Sequence, residues 1–152
     1  MPTAMTAEKC YVDSSALRQL YVHDAHSVAM ATWRFKNPGP LSLTRFGRAE
    51  LINSIASAVF RRDIPETAFQ SFVQELAADI LEGRLQLVDV PWRAVLDQAA
   101  ELSRQYTPTL GTRSLDVLHV ASALALGMRQ FVTYDERQAR LAEACGLKAV
   151  RP

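Results

Sequence analysis

The stretch from Gly111 to Gly127, with its sequel as far as Arg137, constrains the fold of this chain more than any other. Nearly every residue between Ser114 and Gly127 is apolar. Ser114 is placed to cap the amino end of a helix, and Gly127 to take the left-handed conformation that ends it. A helix this apolar is buried on most sides. Its first turn nevertheless carries Asp116, which the helix dipole and the free N–H groups favour, typically by ~0.3–1 kcal/mol. That tolerance does not supply a need for the acid. The need comes from a second acid: Phe131 to Tyr134 reads as a buried strand, and Asp135 stands at its carboxyl end. In open parallel sheets that edge is where ligands bind.

The same device recurs near the start. Cys10-Tyr11-Val12 is a short strand signal, and Asp13-Ser14-Ser15 follows at once, ahead of a helical run. Three convergent carboxylates in a poorly solvated cleft repel one another. Either some are protonated or a cation lies among them, and we favour the cation. Carboxylates suit hard divalent ions such as Mg²⁺ or Mn²⁺, which keep several waters.

Between these ends, strands alternate with helices. The pattern predicts helices over 15–22 and from Asp24, as cap, to about Phe35, and the Asn37-Pro38-Gly39-Pro40 break then leads to a strand at 41–44. A helix from Arg45 to Phe60 carries Glu50 among apolar neighbours, and Asn53 falls nearly one turn on, able to share its face. A further helix runs from Pro65 to near Gly83, a strand from 85 to 90, and a helix from Pro91 through Leu102. Residues 106–111 read as a loop around Pro108. Asp135, with Gln138 as the other half of a capping box, opens the last helix, and Lys148-Ala149-Val150 is an edge strand. Alternating strands and helices argue for an α/β sandwich with a mostly parallel sheet.

A chain of 152 residues has the length of one domain, placed here at 10–150 with a flexible tail over 1–9. The net charge of +1 advertises no nucleic-acid partner, and only Lys9, Lys36 and Lys148 of the 17 basic residues are lysine. The arginines suit bidentate phosphate contact. Cys10 and Cys145 have no metal-ligand spacing and read as buried free thiols in a reducing cytoplasm. No run reaches a membrane span, and residues 1–9 do not form a signal peptide.

Each acid also has a plain reading. Asp13 and Asp135 are acceptable helix caps, Asp116 a first-turn charge, and Glu50 a residue facing water. His119, one turn after Asp116, either faces the cleft or packs in the core, and the packed form is preferred. Ser14 and Thr133 have hydroxyls able to hold the carboxylates. Arg45, Arg48 and Arg113 are candidates for phosphate contact, with solvated surface as the alternative. There is no Gly-rich phosphate loop, GxSxG elbow or Cys–His pair.

The ordered segments Tyr11–Leu17, Arg48–Leu51, Ser114–Ala121 and Val132–Arg137, with Gly146-Leu147, resemble the PIN-domain family, and within it the VapC-type toxins of bacterial toxin–antitoxin pairs. The resemblance implies a three-layer α/β/α sandwich and a Mg²⁺- or Mn²⁺-dependent endoribonuclease, commonly a homodimer silenced by a cognate antitoxin, with tRNA or rRNA as plausible substrate. It makes Asp13 and Asp116 the main metal ligands, has Glu50 and Asp135 complete the acidic pocket, and matches Thr133 to the family's Ser/Thr near the last acid. Two rivals remain: a catalytically silent PIN scaffold acting through partners, and a receiver-like phosphoacceptor module, for which the three lysines lie badly.

Overall fold

A computed structural model describes residues 9–152. Five strands form one parallel sheet: β1 (Cys10–Val12), β2 (Leu41–Thr44), β3 (Leu85–Val88), β4 (Gln130–Val132) and β5 (Lys148–Val150), in the order β3-β2-β1-β4-β5. β1 registers Tyr11 against Ser42 on one side and against Phe131 on the other. The chain builds outward from β1 through β2 to β3, then returns to lay β4 and β5 on its opposite edge. The order therefore reverses between β1 and β4, and a crevice opens there at the strands' carboxyl ends.

Among the described residues, seven α-helices cover the sheet: α1 (Ser14–Leu17), α2 (Ser27–Lys36), α3 (Arg45–Phe60), α4 (Glu66–Leu81), α5 (Trp92–Leu110), α6 (Ser114–Ala125) and α7 (Glu136–Ala144). Strand side chains alternate between faces, and the core divides accordingly. Cys10, Val12 and Val132 pack with Leu17, Met30, Leu51, Ile55, Phe72 and Leu76 of α1–α4. Tyr11 and Phe131 point the other way, into Val95, Ala99, Leu102, Val117, Val120 and Leu141 of α5–α7. The result is an α/β/α sandwich whose middle strand is buried throughout.

Several local expectations are corrected. The first helix is one α-turn followed by a 3₁₀ turn at Arg18–Leu20. Asp24 does not cap α2, which starts at Ser27; its carboxylate instead accepts from the Ala25 N–H at 2.8 Å. Residues 106–110 are not loop. α5 runs on through Pro108 to Leu110 and ends at Gly111, whose φ of 66° supplies the left-handed turn. Its apolar stripe packs on α6, and that burial outweighs the one backbone hydrogen bond proline removes. Ser114 is the first residue of α6 rather than its cap; the Asp116 carboxylate accepts from the Arg113 N–H at 2.9 Å and does the capping. Gly127, with φ 67°, follows the end of α6. The strand expected at 131–134 stops at Val132, and that expected at 85–90 stops at Val88. Residues 1–8 of the expected tail lie outside the described residues; the Lys9 carbonyl accepts from the Arg129 N–H at 2.9 Å. Among the described residues no helix is long and apolar enough to cross a membrane.

Candidate active site

The crevice is built from turns that follow strands. Asp13, one residue beyond β1, caps α1 by accepting the Ala16 N–H at 3.0 Å. Cap duty occupies only part of its carboxylate. Oδ1 and Oδ2 also accept the Ser15 hydroxyl, at 2.8 and 3.0 Å, and Oδ2 accepts the Thr133 hydroxyl at 2.7 Å. Both hydroxyls are themselves acceptors. Ser15 takes the Tyr134 N–H at 3.1 Å and Thr133 the Asp135 N–H at 2.9 Å, so each has its own proton free for Asp13. The turn after β4 is thereby latched to the turn after β1. Ser14, the serine expected in this role, makes no such contact: it lies one residue too early, and Ser15 performs the task.

Asp13 is fully buried, and burial pushes its carboxyl above the usual range; His119 nearby and the bonds from Thr133, Ser15 and the Ala16 amide oppose that rise. Asp116 is also buried. Its Oδ2 takes the Arg113 N–H, and its Oδ1 takes the Gln138 side-chain amide at 2.9 Å. Gln138 belongs to α7, which Asp135 caps by accepting the Gln138 N–H at 3.0 Å. One glutamine thus joins two of the acids through two of its nitrogens. The expected capping box is only half present, because the Gln138 side chain reaches Asp116 instead of its own helix end. The sequence singled out Gln138 as a cap and missed this role, which packing against α6 decides.

Glu50, half-buried on α3, accepts from His119 Nε2 at 2.8 Å. His119 is 1% exposed, and its Nδ1 meets the Tyr11 hydroxyl at 2.7 Å. It is therefore both a packed core histidine and a partner of the acidic site. Burial, with the charges on Asp13 and Glu50, raises the Tyr11 phenol far above its usual range and keeps it protonated. Asn53 does not share Glu50's surroundings. It faces solvent, since three residues along a helix overshoot a narrow buried stripe. Arg45 pairs with Asp89 at 3.0 Å on the surface, and Arg48 is exposed. Arg113 lines a cleft of about 390 Å³ with Asp135, Arg137 and Arg140. Arg140 is paired with Glu136, whereas Arg113 and Arg137 form no ion pair among the described residues.

Does this donor set suit a divalent ion? Among the described residues, no three His, Cys, Asp or Glu side chains gather into a ready metal cage. Asp13, Asp116 and Asp135 nevertheless have no arginine or lysine partner among those residues. A carboxylate offers about four lone-pair sites. Three donors on Asp13 and two on Asp116 leave oxygen capacity on both. The Gln138 side-chain oxygen beside Asp116 is buried with no hydrogen-bond partner among the described residues, an orphan that a bound water would satisfy. Hard oxygen donors, few in number and lacking basic partners, fit a small cation that keeps most of its waters.

The PIN domain family model matches residues 10–144. Among solved structures, the chain is similar to the crystal structure of PAE2754 from Pyrobaculum aerophilum, at 17% identity and a TM-score of 0.63, over 98% of this chain and 88% of that one. At that identity the likeness concerns the fold alone. None of the curated protein sequences matches the chain. Members of the PIN family are generally nucleases that use divalent metal ions. With the family model spanning β1 to the end of α7, and with the sheet and layers it leads one to expect, the chain belongs to the PIN-domain family.

Proposed function

We propose that this PIN domain is a metal-dependent endoribonuclease and the toxin of a toxin–antitoxin pair. One observation carries the catalytic part: at the switch point of the sheet, Asp13, Asp116 and Asp135 are linked through shared hydrogen-bond partners, and none has an arginine or lysine partner among the described residues. Asp13 and Asp116 would hold Mg²⁺ or Mn²⁺, which when bound supplies Lewis acidity and neutralises charge on the phosphodiester. Ser15, Thr133 and Gln138 fix the orientations of those carboxylates, so the donors need little reorganisation. Glu50, whose Oε2 is free of hydrogen bonds to the described residues, and Asp135 are the groups able to accept a proton from an attacking water. Arg113 and Arg137, without an ion-pair partner among the described residues, suit the RNA backbone on either side of the cut.

The motif pattern resembling VapC-type toxins supports the biological setting: a cytoplasmic protein acting on structured RNA such as tRNA or rRNA, dimeric, and silenced by a cognate antitoxin. Phe35, Phe60 and Leu81, each at least 85% exposed, supply apolar surface for such partners. The test is cleavage of structured RNA by the purified protein with Mg²⁺ or Mn²⁺, with excess chelator, and with Asp116→Asn. Cleavage should require the ion and the carboxylate. Cleavage that survives chelation, or wild-type turnover by the Asn variant at equal folded fraction, rejects the proposal.

A further inference from the structure

Behind Glu50 lies a buried line of hydrogen bonds that the three remaining acids do not share. It begins at the Tyr11 hydroxyl, which burial keeps protonated. That hydroxyl meets His119 Nδ1 at 2.7 Å, and His119 Nε2 meets Glu50 Oε1 at 2.8 Å. Tyr11 and His119 are each no more than 3% exposed. The line crosses from β1 to α6 and on to α3.

Its carboxylate end sets its direction, because a carboxylate can only accept. Nε2 carries the hydrogen that Glu50 receives, and in the neutral imidazole Nδ1 then accepts the Tyr11 proton. Neighbouring rings hold the imidazole in place: Phe46 lies 4.7 Å away between centroids, and Tyr11 meets it edge-on at 5.7 Å. A histidine so confined presents one N–H in one direction. Resting on the nuclease reading above, we propose that Tyr11 and His119 are positioning residues that fix the His119 tautomer and, through it, hold the Glu50 carboxylate toward the acidic crevice. Packing alone would make any residue of similar volume adequate at 119. The line requires a donor at the Nε2 position and an acceptor at the Nδ1 position.

Two measurements on the metal-free protein decide the relay without reference to turnover. Long-range ¹H–¹⁵N NMR should show His119 as the Nε2–H tautomer, with that proton slow to exchange. Glu50→Gln should shift the Nε2–H resonance, and Tyr11→Phe should mix the tautomers. Kinetics then read the consequence. His119→Gln keeps an N–H near the Nε2 position and should retain kcat within about fivefold, whereas His119→Met should lose ~10–100-fold in kcat with KM unchanged, the range typical of partners that orient active-site groups. Thermal melts establish equal folded fractions, and Tyr11→Phe serves as the second kinetic variant if His119→Met does not fold. An Nδ1–H tautomer in the wild type, or wild-type kcat in folded His119→Met or Tyr11→Phe, overturns the proposal. A wild-type protein that cuts no RNA rejects the nuclease reading instead, and the NMR arm still decides the relay.

Discussion

The side-chain amide of Gln138 donates to Asp116 Oδ1 at 2.9 Å, tying the first turn of α7 to the first turn of α6. The bond leaves the other amide atom, Gln138 Oε1, buried and without a partner among the described residues. A buried polar atom without a partner costs roughly 1–3 kcal/mol, and such costs are retained where an atom serves the site. Gln138→Leu should therefore separate stability from function. It removes the orphan, so the melting temperature should change little, while Asp116 loses a donor and cleavage falls ~10–100-fold. Isothermal titration with Mn²⁺ should show a parallel loss in affinity. A variant that binds Mn²⁺ and cleaves as the wild type does would make Gln138 a packing residue only.

Asp13 offers a sign test. Burial raises its carboxyl above the unfolded value, so the native state holds that proton more tightly than the unfolded chain does. The contribution favours folding below the unfolded pKa and is lost as pH rises through the folded one, leaving an ionised buried carboxylate that opposes folding at neutral pH. Asp13→Asn abolishes that dependence. In chelator, the stability of Asp13→Asn relative to wild type should grow as pH rises above the ordinary carboxylate range in urea melts. Added Mg²⁺ should stabilise the wild type far more than the variant, and cleavage should be lost. A stability difference that stays flat as pH rises would mean that the carboxylate is not desolvated as its burial indicates.

How far was this legible beforehand? The acids and their strand-end settings were visible because a charge in an apolar run is conspicuous, and the parallel α/β class followed from alternation alone. The bounds of α3, read as Arg45 to Phe60, were also plain in the sequence. Partner identity was not. Ser14 and Ser15 are indistinguishable in sequence, and only the path of the turn after Asp13 gives Ser15 the carboxylate. Gln138 was visible as half of a capping motif, but a side chain's choice between its own helix end and a neighbouring helix depends on packing 22 residues away. Pro108 misled for the same reason: local preference stops a helix there, and the contact with α6 carries it onward.

Arg113 and Arg137 make a prediction about salt. Each removed phosphate contact should reduce the slope of log affinity against log salt by about 0.7 for single-stranded RNA. Arg113→Ala and Arg137→Ala should raise KM and flatten its salt dependence with little change in kcat, and Arg45→Ala, whose guanidinium already pairs with Asp89, should do less. Filter binding of catalytically inactive Asp116→Asn protein across 50–300 mM KCl measures the slopes. Equal slopes in all three variants would place the RNA backbone elsewhere.

Gly47→Ala tests how α3 is seated on β2 at a position where helix preference points the other way. Alanine is favoured over glycine inside a helix by roughly 0.8–1.0 kcal/mol. Here the added Cβ would stand 2.8 Å from Thr44 Oγ1, with Leu43 Cδ1 at 3.5 Å and His119 Cε1 at 3.7 Å. Thr44 is buried and caps α3, so it cannot yield freely. Losing its cap bond costs about 1 kcal/mol, and crowding a packed core costs typically 1–3 more. The losses exceed the gain, and Gly47→Ala should destabilise the protein by roughly 1–3 kcal/mol, about 3–10 °C in melting temperature for a domain of this size. The cause can be isolated: in a Thr44→Ala background the hydroxyl is gone, and the same Gly47→Ala change should be nearly neutral or stabilising. A double-mutant cycle should then give a coupling above ~0.5 kcal/mol, the level at which contacting residues depart from additivity. Simple additivity would mean that Thr44 moves aside without loss, and that α3 does not depend on the Gly47–Thr44 contact for its seat against β2.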